Sequence, residues 1–127
     1  MRWYVDGMNV IGSGGAGFES WWRDRDRAMA HLVDLLERWA AVEGEDVVVV
    51  FERAPRPRLS STVIEVAHAP RPRADAADFE IARRVKLEPH PALVRVVTSD
   101  RWLADRVQAT GVAVHGAATF RSMIDGG

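Results

Sequence analysis

Three aspartates and one glutamate stand where apolar segments of this 127-residue chain give out. Asp6 directly follows Trp3-Tyr4-Val5 and precedes Gly7, and Glu52 follows Val47-Val48-Val49-Val50-Phe51. Asp100 closes Thr98-Ser99-Asp100 behind the apolar run 93–97, and Asp78 falls in the first turn of a helix introduced by a basic loop. Two bare carboxylates about 4 Å apart repel by roughly 4 kcal/mol at an effective dielectric of about 20. A cluster of such groups therefore needs a proton or a cation. With no cysteine and no histidines at ligand spacing, an all-oxygen donor set favours Mg²⁺ or Mn²⁺ over zinc. Such an ion lowers the pKa of a water and clamps a phosphate oxygen, which is hydrolytic phosphoryl chemistry.

Each acid also has a structural use. Asp100 or Ser99 can cap a helix, and Asp75 or Asp78 can favour a helix N-terminus through the macrodipole. Asp105 can pair with Arg101 four residues earlier and sits well around the helix from Asp100. Asp6 is different, because a carboxylate between a buried strand and Gly7 has no cap to make.

The elements that must position these acids follow from periodicity. Residues 3–5 read as a buried strand ending in a loop at Asp6-Gly7, and Gly12-Ser13-Gly14-Gly15-Ala16-Gly17 as a flexible loop. Ser20 suits an N-cap for a long amphipathic helix with Met29, Leu32, Val33, Leu36 and Ala40 on one face, ending near Gly44. The unbroken β-branched run 47–51 predicts a strand buried on both faces of a parallel sheet. Strands are predicted at 62–67, 93–97 and 112–114. Helices are predicted from Asp75 to about Leu87, from Asp100 to Gly111, and over 117–124. In the helix opened by Asp75, Asp78 shares a face with Ile81, Ala82 and Val85 and should point toward the sheet. This order predicts a three-layer α/β domain over 1–127 with a mainly parallel sheet, whose sites gather at the strands' carboxyl ends.

Composition narrows the partners. Seventeen basic residues, sixteen of them arginine, against eighteen acidic ones give a net charge of −1, so any attraction to nucleic acid must be local. It is local between Arg53 and Arg73, where Arg53, Arg56, Arg58, Arg71 and Arg73 face one acid, Glu65, for a charge of +4. Those two proline-bearing loops could carry a phosphate backbone, or be solvated surface. No cysteine and no apolar run of membrane-spanning length lead to the expectation of a cytoplasmic protein. The run Gly12–Gly17 formally matches a dinucleotide-binding pattern, but it starts six residues after Asp6 and lacks a strand-end acid about 20 residues on. Trp21, Trp22, Trp39 and Trp102 could stack on bases or partners, although Trp39 reads as core and Trp21-Trp22 as an anchor for the long helix. His31, His68, His90 and His115 lie on separate elements.

Four segments together resemble a known family: Val5-Asp6-Gly7-Met8-Asn9-Val10-Ile11, Val49-Val50-Phe51-Glu52, Ala76-Ala77-Asp78-Phe79-Glu80-Ile81, and Val97-Thr98-Ser99-Asp100-Arg101-Trp102-Leu103-Ala104-Asp105. In this order they are similar to the motifs of the NYN domain, in its YacP-like branch. The resemblance implies a PIN-like fold with strand order 3-2-1-4-5 and a metal-dependent ribonuclease, with Asp6, Asp78 and Asp100 as Mg²⁺ or Mn²⁺ ligands. It also implies that Asn9 orients a ligand or the scissile phosphate, and that Thr98 or Ser99 holds a water by its hydroxyl. Glu52 stands where the family often has aspartate, and Phe79 where a second aspartate is common. The resulting expectation is endonucleolytic hydrolysis of RNA by a metal-activated water, with Glu52 and Asn9 assisting and Asp105 as a further acid. The arginines above and Ser99 would contact RNA, and the resemblance implies 5′-phosphate and 3′-hydroxyl products. The alternative is a PIN-like module that binds RNA or protein without cutting.

Overall fold

The computed structural model describes residues 1–15 and 17–126; Ala16, within the glycine-rich run, and Gly127 lie outside the described residues. Five strands, β1 (Arg2–Asp6), β2 (Asp46–Phe51), β3 (Glu65–His68), β4 (Val94–Val97) and β5 (Ala113–His115), form one sheet. Every pairing is parallel and the order is β3-β2-β1-β4-β5, as expected. The helices are α1 (Gly7–Gly12), α2 (Arg25–Glu43), α3 (Ala76–Lys86), α4 (Arg101–Gln108) and α5 (Ala117–Gly126).

The continuous valine run of β2 explains the layering, because successive side chains leave opposite faces of a strand. Val47, Val49 and Phe51 enter a core with Trp3, Val5, Met29, Leu32, Leu36, Trp39 and Phe120, under α1, α2 and α5. Val48 and Val50 enter the other with Tyr4, Val96, Ile81, Val85, Leu103 and Val107, under α3 and α4. Neither face of β2 meets water, so alternation of polar and apolar residues has no place there. Because β1 is the central strand, Asp6 at its end lies between the ends of β2 and β4; its backbone partner in β2 is Val50.

The structure corrects several expectations. Asp6-Gly7 is not a loop: α1 starts at Gly7 without a connection. The glycine serves packing, since a Cβ there would overlap the Phe51 ring. Gly12 is the last residue of α1, so the glycine-rich run follows a helix, whereas a dinucleotide fingerprint follows a strand. Ser20 makes no cap and leads instead into a 3₁₀ turn, Trp21–Arg23. Asp24 caps α2, its carboxylate accepting from the Arg27 amide at 3.1 Å. Gly44 ends α2 in the left-handed conformation, φ 68°, as its position predicted. The third strand begins only at Glu65, because the Ser61 hydroxyl takes the amides of Val63 and Ile64, at 3.0 and 3.1 Å. Pro91–Leu93 is a 3₁₀ turn ahead of β4. Trp39 is core, as predicted, and His115 packs against Trp3, with ring centroids 5.1 Å apart. Among the described residues no helix is long and apolar enough to cross a membrane.

Candidate active site

Asp6 is 4% exposed, an ionisable group at the end of a central strand with little water to solvate it. The Thr98 hydroxyl donates to its Oδ2 at 3.1 Å, and the same hydroxyl oxygen accepts from the Asp100 amide at 3.0 Å. Thr98 is itself 2% exposed. One buried hydroxyl thus sets the distance between the ends of β1 and β4. Burial, then the charge of Asp78 and a hydrogen bond with it, push the Asp6 carboxyl up to about 8, against the opposing pull of Thr98 and the Asn9 amide. That amide acts without closing a helix cap on Asp6.

Asp78 reaches Asp6 from the first turn of α3, as its helical face predicted. Burial and the nearby charges of Asp100 and Asp75 raise its carboxyl, while the hydrogen bond from Asp6 lowers it. Burial and the neighbouring negative charges thus oppose ionisation of both carboxyls. Asp100 is the N-cap of α4, its Oδ1 accepting from the Leu103 amide at 2.8 Å. The capping use and the cleft position coexist in one residue. Asn9 on α1 accepts at Oδ1 from the Ser99 amide, 2.7 Å, and the Ser99 hydroxyl accepts from the Ala117 amide, 3.0 Å, at the start of α5. Glu52 is half-buried beyond β2; burial raises its carboxyl, Arg25 opposes this, and Asp78 and Asp75 add to the rise.

Asp6, Asn9, Glu52, Asp78 and Asp100 line one cleft of about 740 Å³, together with Met8, Trp21, Arg25, Arg73 and Asp75. Five of the six residues expected to act in chemistry are brought together. Asp105 is not: it is exposed on α4, five residues past Asp100 and rotated away from the cleft. Of the five arginines in the two basic loops, Arg73 alone lines the cleft. Arg53 is paired with Asp26 on α2 at 2.7 Å, and Asp26 also accepts from the Arg56 amide at 2.8 Å. Arg56 and Arg58 are exposed along a separate groove with Pro55, Pro57 and His68. Arg71 lies in a further groove beside Phe79. Arg25 is a cleft residue that sequence reasoning missed, and Trp21, weighed there as a stacking residue or a helix anchor, was not placed beside the acids; both depend on where α2 begins.

The family model of the YacP-like NYN domain matches residues 3–126, a span that holds every residue of this cleft. The chain belongs to the YacP-like NYN family. Its fold is similar to that of Rae1 (YacP) from Bacillus subtilis, with a TM-score of 0.79 at 19% identity over 99% of this chain and 74% of that one. A tryptophan-to-leucine variant of the same protein gives a TM-score of 0.79 at 20% identity, covering 98% and 75%. None of the curated proteins matches the chain. The YacP-like NYN domain is a PIN-like fold, in a superfamily of ribonucleases.

In this YacP-like NYN domain the carboxylates do not form a ready-made cage. Among the described residues no group of three or more His, Cys, Asp or Glu side chains is arranged to hold a metal ion. Asp6 and Asp78 are close enough to act on each other, with Asp100 and Asp75 acting on Asp78 by charge. Two carboxylates of all-oxygen chemistry suit Mg²⁺, which binds through one or two carboxylates and fills its remaining positions with water and substrate phosphate. The donor set fits such an ion when both carboxyls are ionised.

Proposed function

We propose that this YacP-like NYN domain is a Mg²⁺- or Mn²⁺-dependent ribonuclease that hydrolyses RNA phosphodiester bonds endonucleolytically. The observation that carries the reading is the convergence of two acids, the buried Asp6 and the half-buried Asp78, in one cleft where neither forms an ion pair among the described residues. Asp6 and Asp78 would hold the ion, with Asp100 beside Asp78. When bound, the ion supplies Lewis acidity and charge neutralisation at a phosphate oxygen.

The chain's own groups account for the rest. Asn9 has its Oδ1 committed to Ser99, which aims its side-chain NH₂ group as the remaining donor for a phosphate oxygen. Glu52, whose carboxylate burial makes more basic, is suited to take a proton from the attacking water. Arg25 and Arg73 face the cleft and would bind backbone phosphates, and Arg56, Arg58 and Arg71 would extend that contact outward. In-line attack releases a 3′-hydroxyl and leaves a 5′-phosphate.

The test is cleavage of single-stranded RNA by the wild type, Asp6→Asn and Asp78→Asn with Mn²⁺, Mg²⁺ or chelator. Loss of more than about 100-fold in each variant is expected. Undiminished cleavage in chelator overturns the metal mechanism. A second reading, an RNA-binding module without turnover, draws support from the lack of a three-acid group among the described residues and from Glu52 and Phe79 in place of aspartates. Tight binding with no cleavage under any metal would establish it.

A further inference from the structure

We infer that Phe79 and Trp102 form a stacking platform for a base of single-stranded RNA alongside the acid cleft, an inference that rests on the ribonuclease reading above. Phe79 follows Asp78 directly in α3, and Trp102 comes two residues after Asp100 in α4. Each ring is thus carried by the same helical turn as a cleft acid. The rings meet across the gap between the two helices, with centroids 4.8 Å apart and planes tilted by 54°. They nevertheless remain 44% and 41% exposed. Two large rings that pack on each other at the surface leave apolar ring area open to solvent, which is a feature of recognition sites.

The charges around the rings select the occupant. The guanidinium of Arg73 lies 4.9 Å from the Phe79 ring centroid, and that of Arg106 lies 5.0 Å from the Trp102 centroid. Both charges resting on the rings are positive. Arg73 also lines the acid cleft, so the cleft, the cation and the platform are continuous. A groove of about 360 Å³ continues from the rings between α3 and α4, with Lys86 and Arg106 among its walls. Flat rings interleaved with cations match a polymer of flat bases on an anionic backbone, and stacking accepts any base because each has a π-face. A duplex keeps those faces buried in its own stack, so the single strand is the form that fits.

The experiment measures binding of a fluorescent single-stranded oligoribonucleotide of about ten nucleotides, in chelator to prevent cleavage, to the wild type, Phe79→Leu, Trp102→Leu and Trp102→Phe. Leucine keeps apolar bulk at an exposed site, and thermal melting checks that each variant folds. Each leucine variant is expected to bind about tenfold more weakly, with Trp102→Phe close to wild type. Against a strand of the same length carrying abasic sites, the expected difference between wild type and leucine variants disappears. Equal binding of the intact strand by the folded leucine variants overturns the platform, and so does an equal loss on intact and abasic strands. If the wild type cleaves RNA with Mn²⁺ while the leucine variants bind normally, the platform falls and the nuclease stands. A wild type that neither binds nor cleaves removes both.

Discussion

Asp6 and Asp78 meet side chain to side chain at the carboxyl edge of the sheet, one from the end of the central strand and the other from the first turn of α3. Two ordinary aspartates are both ionised at neutral pH, and burial and neighbouring negative charge oppose that here. The fold thus holds an acid pair in a state that costs free energy whenever both ionise.

That cost has a definite sign. Because the Asp6 carboxyl is raised from 3.8 to about 8 in the fold, the protein binds a proton more tightly folded than unfolded. The stabilisation is complete below about pH 4 and is lost as pH rises through about 8. In chelator, the melting temperature of the wild type should therefore fall relative to Asp6→Asn across that range, by about 5 °C or more. Added Mn²⁺ should raise the wild-type melting temperature more at pH 8 than at pH 5. Parallel wild-type and Asp6→Asn profiles would contradict both expectations.

Thr98 is the second place where a small change should act strongly. Thr98→Val removes the hydroxyl that donates to Asp6 and accepts from the Asp100 amide, leaving two partners short of a bond in a buried site. A loss of about 1–3 kcal/mol in denaturant unfolding is expected, and Thr98→Ser should restore most of it. RNA cleavage should fall further than stability alone explains, since both acids lose their spacing.

Helix α2 provides a paired control. Asp24→Ala removes the cap on Arg27 and should cost about 1 kcal/mol. Ser20→Ala should stay within about 0.5 kcal/mol of wild type, because Ser20 makes no side-chain cap bond. Denaturant titrations of the two variants separate them.

The basic loops should divide by role. Arg56→Ala with Arg58→Ala should weaken RNA binding and flatten the dependence of log K on log salt by about one to two units. Arg53→Ala should act mainly on stability, because its guanidinium is held by Asp26. An unchanged salt slope in the double variant would exclude those two arginines from the RNA path.

The parts of this fold that were legible in the sequence are those where burial dictates residue type. The β2 valines could belong only to a strand covered on both faces, and Asp6, Glu52 and Asp100 were visible because each interrupts such a run. Asp78 was visible through its helical register with Ile81 and Val85. What stayed hidden depends on contacts between distant segments. Asp6-Gly7 looks like a turn until Phe51 is seen to occupy the space a Cβ would need. With Ser20 rather than Asp24 as the expected cap, Arg25 and Trp21 had no reason to face the acids. Arg53 looked available to a phosphate because Asp26, its partner, lies on another element. The meeting of Phe79 with Trp102 depends on how α3 and α4 pack, which no local pattern encodes.

Ser99 gives the C-terminal helix a mechanical stake in the chemistry. Its hydroxyl holds the first turn of α5, its amide holds Asn9, and the next residue is Asp100. Helix α5 is therefore a buttress rather than a trailing segment: pulling it away would unseat the asparagine of α1 without touching a single acid.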